Sequence, residues 1–241
     1  MLSNFTIPLH KPFWGREEER AAITAMRSGT GIGDLAFSEK LASEIAKTVG
    51  VRYVLPTGSG TAALELACSC ILKKGDEVIL PSFTFSSCAN AILLAGAKPV
   101  FCDIDINSYN IDPSGVEKLI NKKTRAIMVV HYAGMTCDMM RIGEIASRYN
   151  LMIIEDAAHA LGASYKKRSI GTISPYTCFS FQAIKHVTTA DGGMLCLESK
   201  EKYDEARRKR WYGIDRENRK LSILGEPEWN VNEIGYKYHM N

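Results

Sequence analysis

Leu151-Met-Ile-Ile-Glu155-Asp156-Ala-Ala-His159-Ala160 and, further on, Cys178-Phe-Ser-Phe-Gln-Ala-Ile-Lys185-His186 are the stretches that decide this chain. Each is a short apolar run that ends in a charged group. A lysine just past an apolar strand can form a Schiff base with an aldehyde cofactor. An aspartate at the end of another such strand can hold a pyridinium nitrogen. Together the two roles describe a pyridoxal phosphate site. Lys185 alone would read as a solvated surface charge, and Asp156 alone as a loop or cap residue. The pair, and what surrounds it, carries the reading.

Outward from this pair the chain alternates strand-like and helix-like segments. Arg16–Ser28 and Phe37–Val49 have helix periodicity, the second closed by Gly50. Strands are expected at Val51–Leu55, Glu77–Leu80, Pro99–Asp103, Arg125–Val130, Leu151–Ile154, Thr177–Phe181 and Met194–Leu197. Helices are expected at Thr61–Leu72, Ser86–Ala95, Pro113–Asn121, Asp138–Tyr149 and Lys200–Trp211. This order predicts an α/β fold with a mostly parallel central sheet, buried on both faces. Sites in such sheets lie beyond the carboxyl ends of strands. Gly58–Thr61, Ser82–Phe85, Asp156 and Ser180–Lys185 all follow predicted strands, so they are expected to meet at one edge.

Thr57-Gly-Ser-Gly-Thr61 joins a strand to a helix. Glycines permit the sharp turn, and a helix start offers free N–H groups to an anion. No Gly-Lys-Ser/Thr follows, so this is not a Walker loop. A plain tight turn explains the loop by itself; beside Lys185 it becomes a cradle for a cofactor phosphate. Phe85 can stack on a pyridine ring, although its local pattern suits a core aromatic equally well. His159 can contact the ring or its phenolic oxygen, or can be a satisfied, partly buried histidine. Ser180 can give its hydroxyl to a phosphate, or be an ordinary strand serine. Gly192-Gly193 reads as a turn into the next strand.

The 241 residues suit one large α/β domain or two small ones, and 46% hydrophobic content suits a soluble core. A net charge of +3, from 30 Lys+Arg against 27 Asp+Glu, makes no electrostatic case for nucleic acid. The dense run Arg207-Arg-Lys-Arg210 reads as a solvated helix face near a C-terminus; the alternative is a contact to an anionic substrate or a neighbouring subunit. Met1 to Pro12 lacks a signal pattern, and no apolar run reaches membrane-spanning length. The seven cysteines form no C-x-x-C pair and read as reduced core residues of a cytoplasmic protein. Neither they nor the five histidines have metal-ligand spacing.

Gly58-Ser-Gly-Thr-Ala-Ala-Leu64, Pro81-Ser-Phe-Thr-Phe85, Glu155-Asp-Ala-Ala-His-Ala160 and Phe179-Ser-Phe-Gln-Ala-Ile-Lys185 with the later Asp191-Gly-Gly resemble the DegT/DnrJ/EryC1/StrS sugar aminotransferases. The resemblance runs from about Pro8 to the end of the chain. It implies a fold type I pyridoxal phosphate enzyme, active as a homodimer, that moves an amino group, with glutamate as the expected donor, to a nucleotide-linked keto sugar. Gly33-Asp34 with Phe37, and His131-Tyr-Ala-Gly134, look most similar to enzymes that aminate the sugar's 4-position. By motif, Lys185 is the Schiff-base lysine and Asp156 the pyridinium partner. His159 lies beside the ring, Phe85 stacks on it, and Gly60, Thr61 and Ser180 fall on phosphate positions. Gly235-Tyr-Lys237-Tyr-His-Met240 matches a segment lent to the partner subunit's site, with Lys237 where asparagine is common. Family members continue with a smaller C-terminal domain. Residues 1–241 are therefore expected to be an N-terminal arm plus the large cofactor-binding domain. Two rival readings are a catalytically incompetent fragment that binds cofactor or partners, and a dehydratase of the same family. The dehydratases carry histidine in place of the lysine, so Lys185 speaks against that one. Val231–Asn241, without a following helix to pack on, is expected to be mobile, and the chain by itself to turn over poorly.

Overall fold

The structure, a computed structural model, describes residues 11–28, 36–216, 218–231 and 233–240. Gly33 and Asp34 lie outside the described residues. In chain order the elements are α1 (Arg16–Arg27), α2 (Ala36–Val49), β1 (Tyr53–Thr57), α3 (Gly60–Ile71), β2 (Glu77–Pro81), α4 (Ser86–Leu94), β3 (Lys98–Cys102), α5 (Pro113–Leu119) and β4 (Thr124–Val130). Then follow α6 (Met139–Tyr149), β5 (Met152–Asp156), the hairpin strands β6 (Ser164–Tyr165) and β7 (Arg168–Ser169), β8 (Tyr176–Ser180), β9 (Gly193–Leu197) and α7 (Lys200–Arg210). Every expected strand and helix is present, with ends moved by one or two residues.

Seven strands form one sheet in the order β1-β9-β8-β5-β4-β2-β3. β8, β5, β4, β2 and β3 pair in parallel, whereas β9 runs antiparallel to both β1 and β8. The link from Ser180 to Gly193 starts and finishes at the same sheet edge with no crossover helix, which forces the reversed direction. The short β6–β7 hairpin was not expected. Its turn residues Lys166 and Lys167 both take positive φ, the conformation usually signalled by Asn-Gly.

Side chains alternate across the sheet. Val78, Leu80, Met128, Ile154, Cys178 and Leu195 face Leu64, Leu66, Ile92 and Ala206 of α3, α4 and α7. On the other face Ile79, Ile127 and Val129 pack against Ile142 and Ile145 of α6, while Val54, Phe179 and Met194 pack under Ile45 and Val49 of α2. Polar caps start the helices: Ser59 Oγ accepts from Ala62 N–H at 3.0 Å, Asp112 caps α5, Asp138 caps α6 and Ser199 caps α7. The geometry needed at the strand ends is thus set by a core closed on both sides.

Two expectations about the C-terminal part change. Arg207–Arg210 is not a solvated face. Arg207 pairs with Asp215 at 3.3 Å, Arg208 with Glu233 at 2.6 Å and Lys209 with Glu205 at 2.6 Å, and buried Arg210 donates to Pro56 O at 2.7 Å. Nor does the last segment hang free. Tyr236 and Tyr238 N–H donate to Lys209 O and Arg210 O, and Gly58 N–H donates to Tyr238 O at 2.9 Å. His239 pairs with Thr57 and is buried. Backbone bonds to the end of α7 and to the β1 edge support this segment.

Candidate active site

Register places the ends of β1, β4, β5 and β8 side by side. Thr57 lies opposite Gly193, Gly193 opposite Ser180, Cys178 opposite Asp156, and Asp156 opposite Val130. The loops that leave these ends carry the residues singled out by the sequence.

The Gly-Ser-Gly loop turns directly into α3. A Cβ at Gly193 would sit 2.3 Å from the Ser59 carbonyl, and one at Gly60 would sit 2.8 Å from Ser180 Cβ. Only glycine therefore lets the β8 end and the β9 start reach the head of α3. The result brings the N–H groups of Gly60 and Thr61, which precede the first intrahelical bonds, next to the Ser180 hydroxyl. A helix start with free N–H groups and a hydroxyl is an anion site.

Asp156 ends β5 and is 6% exposed. Its Oδ1 accepts from Ala158 N–H at 3.0 Å, and its Oδ2 is 3.0 Å from Cys88 Sγ. Each oxygen keeps lone-pair capacity for a further donor. Lys185 follows β8 in a turn closed by its N–H to Gln182 O at 2.8 Å. It is half-buried, and burial holds its ammonium below the ordinary lysine value, with Asp156 pulling the other way. His159 is also half-buried. Burial, then the Lys185 charge, lower its proton affinity. Its Nδ1 accepts from Ala133 N–H at 3.3 Å, which puts the ring proton on Nε2. Lys185, Asp156 and His159 thus share one electrostatic neighbourhood.

Phe85 heads α4 and is 75% exposed. It is not a core aromatic, so the alternative role at the strand edge is the one the fold leaves open. Lys237 is exposed and pairs through its backbone with Trp211. Its own chain's segment touches Gly58, but its side chain makes no hydrogen bond to Gly60, Thr61 or Ser180. The structure brings Gly60 against Ser180 and places Asp156, His159 and Lys185 in one electrostatic neighbourhood, while Lys237 is exposed on the segment that bonds to Gly58.

Three features were missed. Cys88 lies under Asp156. Phe83, Tyr109 and Tyr132 form a ring cluster with centroids 4.9 to 5.9 Å apart, beside His159. His131 and Glu155, both fully buried, meet at 2.7 Å. A glutamate inside an apolar strand demands a partner, so Glu155 was the available signal for the last of these.

A mostly parallel sheet with one reversed strand, an aspartate ending one central strand and a lysine after the next are the arrangement of the pyridoxal phosphate aminotransferase fold. The chain belongs to the DegT/DnrJ/EryC1/StrS aminotransferase family, whose profile matches residues 14–241. It is similar to the spore coat polysaccharide biosynthesis protein SpsC of Bacillus subtilis, with 38% identity over 98% of this chain and 61% of SpsC. It is likewise similar to the UDP-4-amino-4-deoxy-L-arabinose–oxoglutarate aminotransferase of Shewanella sediminis, at 38% identity over 99% of this chain and 62% of that protein. Among solved structures, the PMP-form of the sugar aminotransferase Spr1654 from Streptococcus pneumoniae superposes with a TM-score of 0.86, at 28% identity over 98% of this chain and 63% of that one. The chain spans about 62% of the length of the curated relatives it matches. No helix among the described residues is long and apolar enough to cross a membrane.

Proposed function

We propose that the protein transfers an amino group, from glutamate, to the 4-keto position of a nucleotide-linked sugar. The product serves cytoplasmic synthesis of cell-surface polysaccharide. One observation carries the reading: Lys185, with lowered proton affinity, and buried Asp156 share one strand edge beside a helix start suited to phosphate. The donor set fits pyridoxal phosphate, which when bound supplies the electron sink that acidifies the donor's α C–H.

This chain's residues do the rest. Lys185 would supply the amine that holds the cofactor, and burial disfavours its charged form. Its amine would also serve as the acid/base that moves the donor's α-proton. Asp156 keeps the proton on the ring nitrogen through a charge-assisted hydrogen bond. Gly60 and Thr61 N–H with the Ser180 hydroxyl bind the phosphate. Phe85 would stack on the ring, and His159, with its proton on Nε2, would donate to the cofactor. In a homodimer Lys237 of the partner subunit reaches the phosphate. The names of the two curated relatives support oxoglutarate as the donor's keto form, a 4-amino nucleotide sugar and a polysaccharide pathway.

The test is borohydride reduction of the protein mixed with pyridoxal phosphate, followed by peptide mass spectrometry and a transamination assay with nucleotide keto sugars. We expect the pyridoxyl group on Lys185 and amino sugar as product. A label elsewhere, or a Lys185→Ala variant that still transaminates, refutes the assignment.

A further inference from the structure

The carboxylate of Asp156 does not stand alone. Cys88, on the first turn of α4, is fully buried, and its Sγ lies 3.0 Å from Asp156 Oδ2, across 68 residues of sequence. Thr84 Oγ1 donates to the same sulfur at 3.1 Å. Burial, and then the Asp156 charge, push the thiol far above its ordinary value, so it keeps its proton and can act only as a donor toward the carboxylate. The direction of the chain is therefore fixed: Thr84 O–H to Cys88 sulfur, Cys88 S–H to Asp156 Oδ2. Ala158 N–H holds the other oxygen at 3.0 Å.

We propose that Cys88 is a positioning residue for Asp156: its thiol, turned by Thr84, orients Oδ2 so that the free lone pair of the carboxylate faces the cofactor's ring nitrogen. This rests on the reading of Asp156 given under Proposed function. A thiol suits the task because it is a weak donor. It fixes the carboxylate without drawing off the charge that holds the ring proton. Thr84 adjoins Phe85, so the same chain ties the loop bearing the stacking aromatic to the partner of the ring nitrogen. The Cys88–Asp156 contact is buried, and the Thr84–Cys88 contact is part-buried at the loop that carries Phe85.

The test compares two cofactors. The full-length enzyme is titrated with pyridoxal phosphate and with its 1-deaza analogue, in which C–H replaces the ring nitrogen. Asp156 discriminates between them; a packing defect does not. The preference for pyridoxal phosphate should fall roughly fivefold in Cys88→Ala, the loss of about one modest hydrogen bond's worth of orientation. It should recover largely in Cys88→Ser and fall less, in the same direction, in Thr84→Val. If Cys88→Ala fails to fold, Thr84→Val carries the test, because it leaves the thiol in place. An unchanged preference, even with both affinities lowered, overturns the proposal and makes Cys88 a packing residue. A wild-type enzyme that binds both cofactors equally removes the Asp156 assignment itself, a separate and distinguishable failure.

Discussion

Replacing His131 with Phe should destabilise the protein far more than a change of similar volume at an apolar core position. His131 and Glu155 are both fully buried, with Nε2 and Oε2 2.7 Å apart. Nδ1 accepts from Cys137 N–H at 3.1 Å, so Nε2 carries the proton and donates to Glu155. Thr177 Oγ1 donates to the other oxygen, Oε1, at 3.2 Å. Both oxygens of Glu155 therefore accept, in the middle of the sheet. His131→Phe fills the space but removes the stronger of its two donors. Removing one partner of a buried pair costs about 3–5 kcal/mol. The surviving Thr177 bond places the loss near the low end, about 3 kcal/mol, and the orphaned Cys137 N–H adds about 1 kcal/mol. The expected total of roughly 4 kcal/mol is a large share of the 5–15 kcal/mol that holds a typical domain together.

Urea unfolding of wild type, His131→Phe, Glu155→Gln and the double variant His131→Phe/Glu155→Leu would check this, with an unchanged m-value confirming that midpoints report stability. Glu155→Gln keeps an acceptor for Nε2–H and should lose only about 1 kcal/mol. The double variant leaves no carboxyl without its imidazole partner and should be more stable than His131→Phe alone. A His131→Phe loss below about 1 kcal/mol, or a double variant less stable than the single one, would refute the reading that buried Glu155 depends on His131 as its partner.

Asp156→Asn should bind cofactor but lower transamination by orders of magnitude, since a neutral amide cannot hold the ring proton; steady-state rates near wild type would sink that role. His159 is held below 6.5, by burial first and then by Lys185. The unfolded chain binds more protons there, so stability should be fully present above about pH 6.5 and fall as pH drops toward the folded value. His159→Gln should flatten that slope in melts from about pH 5 to about 7.5; an identical slope counts against it. Gly193→Ala should push the Ser59–Gly60 turn aside, because its Cβ would lie 2.3 Å from the Ser59 backbone. Weaker retention of pyridoxal phosphate, read by equilibrium dialysis, is the expected outcome, and unaltered retention would contradict the close approach.

What could be read from the residues, and what could not, divides by distance along the chain. The strand-end rule placed Gly60, Thr61, Asp156, Ser180 and Lys185 together, because parallel strands deliver their carboxyl ends to one edge and the apolar runs mark those strands. The misses arise where a long-range contact overrides local appearance. β5 extends through Glu155 and Asp156 rather than stopping at Ile154, because His131, Thr177 and Cys88 pair charges that would otherwise end a buried strand. Arg207–Arg210 looked like a wet helix face, yet Glu233 and the Pro56 carbonyl, both distant in sequence, claim Arg208 and Arg210. Lys166-Lys167 makes a hairpin turn with none of the usual turn residues. In each case the partner lies too far away in sequence, or the backbone is too unusual for its residue types, for composition to reveal it. Such hidden partners gather directly beneath the strand edge. Support for a buried carboxylate must come from the core, and the core is built by residues distant in sequence. Charged residues that interrupt an apolar strand are therefore where long-range partners should be sought first, and Asp156 with its Cys88 and Thr84 relay is the instance closest to the chemistry.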